Sequence, residues 1–333
     1  MIIVTGGAGF IGSALIAELN SKGYSEILVV DRLGDENKWK NLCNKSFSTF
    51  IHKDKFLSFL STMPTPGSIE AIFHLGACSS TVEKDADYLM ENNFQYSQSI
   101  FKFCTKHSIP LIYASSAATY GNGTLGYSDN EDLLPKLKPI NPYGFSKKIF
   151  DSWVLTQVEK PPFYFGLKFF NVYGPNEYHK QGMKSLIAKA VPQILENGYI
   201  KLFKSHHPDF EHGEQKRDFI YVKDITKCMM YLFDASRQKN KNVISGIYNL
   251  GTGKARSFKD LALAVFKALD KKVHIEWIDM PKNIQNQYQY FTEANLNNLR
   301  ERTAYLESFA SLEEGINDYV KNYLNNNDHA LYL

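Results

Sequence analysis

Three side chains in the middle of the chain have the types and spacing for proton transfer. In "NPYGFSKK", Tyr143 and Lys147 stand four residues apart, which on a helix puts both on one face. A phenol, with a reference pKa of about 10, is a poor base at neutral pH. A fixed ammonium beside it favours the phenolate, and opposite charges of this kind lower a pKa by about 1–3 pH units. Ser116, at the end of the apolar run "PLIYASS", could hydrogen-bond the oxygen that loses or gains the proton. The stretch "PNEYHKQGM", residues 175–183, carries a further lysine, Lys180, among polar residues. Neither a period of two nor one of 3.6 runs through it, so no core face accounts for it.

An oxidant for a carbinol whose proton such a tyrosine takes is suggested by "VTGGAGFIG". Gly6, Gly9 and Gly12 follow a short apolar run and open an amphipathic one. Glycine is required where a turn is tight, where backbone approaches a pyrophosphate, and where a helix packs closely on a strand. The helix N-terminus then offers its free N–H groups to the phosphates. Asp31 ends the second apolar run, 19 positions after Gly12, where a dinucleotide site places the acid that binds an adenosine ribose hydroxyl. The carboxylate favours NAD. Arg32, Lys38 and Lys53 follow closely and could balance the roughly two negative charges of the 2′-phosphate of NADP. On these residues alone the two cofactors stand level, and the oxidised nicotinamide of either would add its charge to that of Lys147 in lowering the Tyr143 pKa.

Apolar runs alternate with amphipathic segments from the first residue. "IIVT", "ILVVD", "AIFHL", "PLIYASS" and "FYFGLKFF" read as strands, separated by helices at 10–22, 54–62, 84–107 and 143–158. Strand then helix, repeated, predicts an α/β fold: a Rossmann-like, doubly wound parallel sheet covered on both faces. After about residue 171 the rhythm gives way to longer loops. "RDFIYVKDITKCMMYLF" (217–233) is expected to return one more strand and helix to the sheet. The dinucleotide-binding domain is therefore drawn as 1–170 plus 214–240. A smaller, discontinuous substrate domain takes 171–213 plus 241–333. No internal repeat is present, and "NNND" near the end is expected to fray.

With 333 residues, 44% of them hydrophobic, and a net charge of +3, the chain can bury a large core. Nothing in its balance calls for nucleic acid or an anionic membrane. Cys43, Cys78, Cys104 and Cys228 form neither a CxxC pair nor a zinc spacing, which suits a reducing cytosol. No secretory segment opens the chain and no apolar run reaches a membrane span, so a cytoplasmic location is expected. His206, His207, Asp209, Glu211 and His212 lack the helical i,i+4 pairing of a zinc site, and no metal is expected.

"SSAATYG", "YGFSK", "FFNVYGP" and "RDFIYVKDI" occur in the order seen in the extended short-chain dehydrogenases/reductases. The chain resembles that family, the nucleotide-sugar epimerases and dehydratases, over essentially its whole length. "GACSST", "NNFQYS", "KFFNVYGP", "HK" and "YQYFTEANL" resemble more narrowly the branch that inverts carbon six of an ADP-heptose for the bacterial lipopolysaccharide core. The resemblance implies transient oxidation to a 6-ketone and reduction of its opposite face. Carbon six is exocyclic and turns about one C–C bond. The turn carries its oxygen away from the first acid/base, so a second proton donor is needed. The resemblance assigns the first role to Tyr143, supported by Ser116 and Lys147, and the second to Lys180. It implies NADP held by Gly6, Gly9, Phe10, Ile11, Gly12, Asp31, Arg32, Lys38, Lys53, Leu75, Gly76, Ala77, Cys78, Ser79, Asn92, Lys147 and Val172. It implies an ADP-sugar held by Ser79, Asn171, Phe203, Lys204, Ser205, His206, Arg217 and Tyr288, with Arg217 as partner of the diphosphate. A homo-oligomer is suggested as well, with a pentamer as its form.

The chain departs from the family pattern at several points. Leu75 stands for a common Glu and Arg32 for a frequent Asn. The usual "GPREGHKGSM" is altered at Asn176, Tyr178, Gln181 and Gly182, and Lys189 stands where His is frequent. A 4-epimerase of UDP-hexoses shares Tyr143 and Lys147 but has no use for Lys180. A 4,6-dehydratase carries an Asp-Glu pair where this chain has Ala117 and Ala118. A binding protein that only senses NADP would be free to lose Tyr143 or Lys147.

Overall fold

A computed structural model describes residues 1–35, 37–285, 288–325 and 332. The strands run β1 (Ile2–Thr5), β2 (Ile27–Asp31), β3 (Thr49–His52), β4 (Ala71–His74), β5 (Leu111–Ser116), β6 (Tyr164–Phe169), β7 (Asn171–Tyr173), β8 (Ile200–Phe203), β9 (Lys216–Tyr221), β10 (Gly246–Leu250), β11 (Ala255–Ser257) and β12 (Ile275–Ile278). Seven of them form one parallel sheet in the order β10-β6-β5-β4-β1-β2-β3. The chain moves outward from β1 in one direction and from β4 in the other. The crevice beyond the carboxyl ends of these two strands is thus the switch point, where ligands of such sheets bind.

The inner strands are wholly buried, β1 and β2 as uninterrupted Ile/Leu/Val runs ending in Thr5 and Asp31, because helices cover both faces. On one face, the helices Phe10–Ser21 and Val222–Arg237 pack on Leu15, Leu19, Phe73, Met229 and Phe233. On the other, Lys53–Thr62, Tyr96–Lys106 and Pro142–Thr156 close over Phe56, Phe101, Tyr113 and Phe150. The segment expected as one helix over 84–107 is helical from Ala86, but a π-helical turn, Met90–Gln95, interrupts it. Such turns cluster at functional sites, and this one carries Asn92 and Asn93.

Two expectations about strands need correction. The strand at 216–221 does not rejoin the large sheet; β9 lies between β7 and β11 in a separate three-stranded sheet. The seventh strand is β10, "GIYNL", from the segment assigned above to the smaller domain. Burial explains the exchange. Asp218 is buried, and its carboxylate accepts from the backbone N–H groups of Thr252, Gly253 and Ala294, which fixes β9 beside those loops. β10 buries all five residues and carries no charge. The helix after β9 does return, packed against the helix Phe10–Ser21. β3, partly exposed along its whole length at the sheet edge, was not expected at all. The stretch expected to fray falls, but for Asn325, outside the described residues. Among the described residues no helix is long and apolar enough to cross a membrane.

Candidate active site

The turn after β1 shows why its glycines are there. Gly6 has φ +69°, and a Cβ on it would stand 2.6 Å from the backbone nitrogen of Gly76. A Cβ on Gly12 would collide with the carbonyl oxygen of Gly6. Glycine therefore lets the β1 and β4 ends approach and the helix Phe10–Ser21 seat on the turn. No side chain caps that helix at Gly9, so its first N–H groups face the crevice, fit for a pyrophosphate. Asp31 is buried at the end of β2; it accepts from Ala8 N–H at 2.8 Å and Arg32 N–H at 2.7 Å, and meets the Lys38 ammonium at 2.5 Å. The Lys53 ammonium donates to Asn92 Oδ1 at 2.8 Å.

A cavity of about 620 Å³ runs from this turn past the ends of β4 and β5. Its lining includes Gly6, Gly9, Phe10, Ile11, Gly12, Asp31, Arg32, Lys38, Lys53, the run Leu75 to Ser79, Asn92, Lys147 and Val172, together with Ser116, Tyr143, Asn171 and Lys180. The sequence singled out all of these, and the fold brings them to one wall or another of a single space.

The helix Pro142–Thr156 starts where Asn141 accepts from Gly144 N–H at 2.8 Å and Pro142 occupies the first helical position, as caps and N1 prolines do. Gly144 allows this first turn to lie against Ala118, whose carbonyl oxygen would be 2.6 Å from any Cβ there. Tyr143 thus meets the Ser116 hydroxyl, and Lys147 donates to the carbonyl of Ala114 at 2.8 Å. Burial pushes the Tyr143 phenol above its usual range, with the Ser116 hydrogen bond as the opposing pull. Burial likewise brings Lys147 down to about 8, against the pull of Asp151. The protein's own groups therefore do not supply the downward shift expected at Tyr143: desolvation raises the phenol's pKa, Cys78 and Asp151 add to the rise, and the Ser116 hydrogen bond alone opposes it.

Lys180 lies on the 3-10 segment Tyr178–Met183, its ammonium over the Phe10 ring at 5.4 Å from the centroid. Burial lowers its pKa, opposed by the charge of Glu177. Glu177 is itself buried and accepts from Ser185 N–H at 2.5 Å, Ser185 Oγ at 2.7 Å and Gly174 N–H at 3.3 Å. Ser185 caps the next helix, Leu186–Asn197, so the lysine segment is pinned at its far end. Lys189, on that helix, donates to the carbonyl of Gly182 at 2.6 Å, a second tie between the helix and the lysine segment from one of the positions that depart from the family pattern.

The other expected substrate residues do not join the cavity lining. Arg217 is buried between the rings of Phe258 and Tyr288, 5.8 and 5.2 Å from their centroids. Phe258 lines the cavity while Arg217 and Tyr288 stand behind it. Phe203, Lys204, Ser205 and His206 lie further along, where Met280 N–H donates to His206 Nε2 and His206 N–H to the Tyr290 hydroxyl. Among the described residues no group of three or more His, Cys, Asp or Glu is arranged to hold a metal.

Some residues of the site were not foreseen. Asn93, on the π-helical turn, accepts from Cys78 N–H, donates to Cys78 C=O at 2.9 Å and reaches Ser146 Oγ at 3.1 Å. His74 bridges Thr5 Oγ1 at 2.7 Å and Ser97 Oγ at 2.8 Å; burial and the Lys147 charge bring its pKa down to about 3, so it stays neutral. Asp151, one turn beyond Lys147, holds the Lys168 ammonium and the Ser115 hydroxyl, both at 2.6 Å. Polar residues inside apolar runs were the available signal for Lys168 and His74.

Residues 2–251 match the profile of the NAD dependent epimerase/dehydratase family. An ADP-L-glycero-D-manno-heptose-6-epimerase of Fusobacterium nucleatum subsp. nucleatum is 50% identical over 339 aligned positions, 99% of this chain and 100% of that one. A protein of the same name from Nitratidesulfovibrio vulgaris is 48% identical over 324 positions, 97% and 98% of the two chains. The crystal structure of the Helicobacter pylori ADP-L-glycero-D-manno-heptose-6-epimerase matches with a TM-score of 0.79 and 27% identity, over 96% of this chain and 95% of that one.

Proposed function

The chain belongs to the NAD dependent epimerase/dehydratase family, and from that premise we propose that it inverts carbon six of an ADP-linked glycero-manno-heptose, with NADP as its resident cofactor. The relatives' names support the substrate. The observation that carries the reaction is that Tyr143 and Lys180 reach one cavity from unrelated elements. Burial raises the phenol's pKa and lowers the ammonium's. Both residues are thereby driven toward their neutral forms, and that pair holds one transferable proton. An inversion through a ketone needs this count: one group takes the hydroxyl proton of the entering sugar and the other protonates the turned ketone oxygen.

A bound nicotinamide supplies the removal and return of the hydride. The chain's own residues do the rest. The glycine turn and the uncapped helix seat a pyrophosphate, and Lys147, fixed on the Ala114 carbonyl, places positive charge below Tyr143. Ser116 shares its hydroxyl with the reacting oxygen. For NADP in preference to NAD, the support is Lys38 covering Asp31, with Arg32 and Lys53 on the same rim of the cavity. The segments outside the large sheet hold the nucleotide sugar, with Arg217 behind Phe258 as the cation nearest a diphosphate. In the cell the reading is a cytoplasmic homo-oligomer, pentameric in form, that supplies the heptose donor for lipopolysaccharide core.

NMR of an ADP-heptose incubated with the enzyme tests the reading. Tyr143→Phe and Lys180→Ala should each nearly abolish epimerisation while sugar binding persists. With a 6-aldehyde analogue, each variant should keep the half of the dismutation that its remaining base supports. Full epimerase activity in Lys180→Ala would return the protein to the one-tyrosine 4-epimerase reading, in which the whole ketopyranose turns over and no second donor is used.

A further inference from the structure

Lys180 sits on a short irregular segment, and its neighbour Gln181 holds φ +43°, outside the range that favours side chains. Glu177 anchors this segment toward the helix that follows. Its other anchor runs toward the glycine turn. Asn41, 3% exposed on the 3-10 turn Lys38–Leu42, donates from Nδ2 to Ala8 C=O at 3.0 Å and to Asn176 C=O at 3.1 Å. One amide nitrogen thus meets two carbonyls, one in the glycine turn and one in the lysine segment, and also His179 Nδ1 at 3.2 Å in that same segment.

Asn176 answers from the other side. It is fully buried with φ +76°, a left-handed conformation that asparagine tolerates better than most residues. Its Nδ2 donates to Ser13 Oγ, in the first turn of the glycine-turn helix, at 3.1 Å, and its Oδ1 accepts from Tyr332 N–H at 3.0 Å. Asn176 is one of the positions where the chain departs from the family pattern, which has arginine. An arginine offers no acceptor, and a longer side chain has no room in a fully buried position.

We propose that Asn41 and Asn176 are positioning residues for Lys180, tying its segment to the glycine turn so that the second acid/base is placed from the same backbone that seats the cofactor. This rests on the two-base reading above. The tie is short. Ala8 C=O accepts from Asn41 while Ala8 N–H donates to Asp31, and Phe10, two residues on, carries the ring beneath the Lys180 ammonium. The charged and titratable groups around Lys180 are Glu177, His179 and Lys184 from its own segment, Lys38 from the Asn41 turn and Tyr143 across the cavity. Neither asparagine carries charge, so their removal acts through placement and not through the local field.

The test uses the full-length enzyme with its cofactor bound, comparing Asn41→Ala and the uncharged, near-isosteric Asn41→Leu, which keeps the volume but loses both donors. Asn176→Gly, which tolerates the left-handed backbone and keeps the carbonyl that Asn41 holds but loses the donor to Ser13, is the milder variant. With ADP-heptose, Asn41→Ala and Asn41→Leu should lower kcat about 10–100-fold, the scale of a misplaced reacting group. KM and cofactor retention should stay within about threefold, and Asn176→Gly should fall between them and the unaltered enzyme. The independent readout is NMR titration of Lys180 after 13C reductive methylation. As the segment loosens into water, the Lys180 value should rise toward that of an ordinary lysine. A kcat and a Lys180 titration both unchanged in the folded fraction, whatever the loss in melting temperature, would overturn the proposal and leave the asparagines as packing. If the unaltered enzyme or Lys180→Ala contradicts the two-base reading, the activity arms fall with it. The Lys180 titration still decides whether the asparagines place that lysine.

Discussion

Lys38→Ala should separate NADP from NAD. Asp31 ends β2 with one oxygen on Ala8 N–H at 2.8 Å and the other on Arg32 N–H at 2.7 Å and the Lys38 ammonium at 2.5 Å. A free carboxylate in this position accepts from a ribose hydroxyl and repels a 2′-phosphate, which carries about −1.5 to −2 charge. Lys38 reverses that sign, because one ammonium can face the carboxylate and the phosphate together. Removing it deletes a charge-assisted contact worth about 1.5–3 kcal/mol and exposes the phosphate to the unmasked Asp31. Since every 1.4 kcal/mol is tenfold, the dissociation constant for NADP should rise about 10–100-fold. Asp31 keeps its two backbone donors, so the glycine turn stays in place and NAD should change by about threefold or less. Calorimetric titration of the stripped protein with each cofactor measures both numbers. In the unaltered protein, added salt should also narrow the preference for NADP, as surface-facing charge pairs are screened over about 8–10 Å. Equal losses for NADP and NAD in Lys38→Ala would refute the reasoning, for they would mean that the lysine only holds the turn.

Three further outcomes follow from the site and the core. Lys180 acts as a base only when neutral, and burial lowers its pKa; activity should be present above that lowered value and fall as pH drops through it. Tyr143, raised by burial, should keep its proton until strongly alkaline pH; a rate that is flat on the acid side counts against Lys180. Gly12→Ala puts a methyl into the Gly6 carbonyl and should abolish cofactor retention and lower the melting temperature; normal retention would show that the helix can shift without cost. Asp151→Asn leaves the Lys168 ammonium buried without its carboxylate and should cost about 3–5 kcal/mol in urea unfolding, whereas a loss below about 1 kcal/mol would place the pair among weak, solvated bridges.

How much of the molecule could be read from its sequence depended on how far apart the deciding atoms lie. The glycine turn and the Tyr143–Lys147 pair are local. Three glycines after an apolar run, and two residues one turn apart, state their geometry within a dozen positions. The exchange of β9 for β10 was hidden because "FIY" and "GIYNL" are both apolar runs; the choice is made by Asp218, whose partners lie some 34 to 76 residues away. Residues taken from the resemblance fared by the same measure. Those around the carboxyl ends of the large sheet's strands line the cavity, whereas Phe203 to His206, Arg217 and Tyr288, all outside that sheet, stand outside its lining.

The Tyr143 phenol marks a different limit. From the sequence, Lys147 beside it argued for a lowered pKa, because spacing reveals neighbours but not desolvation. In the folded chain Lys147 donates to a backbone carbonyl, and burial raises the phenol's pKa against the Ser116 hydrogen bond alone. A related signal lay unused. Lys168 interrupts the strand run "YFGLKFF" and Asp151 the buried face of the helix "FDSWV", and a charge in either place costs several kcal/mol unless it is paired. Two opposite charges, each stranded in an apolar element, imply each other, and here they meet at 2.6 Å behind the catalytic helix. The same reasoning applies to Asn41 and Asn176. An amide with no solvent must find partners: Asn41 finds carbonyls and Asn176 the Ser13 hydroxyl, and both join the turn that seats a cofactor to the segment that bears the second lysine.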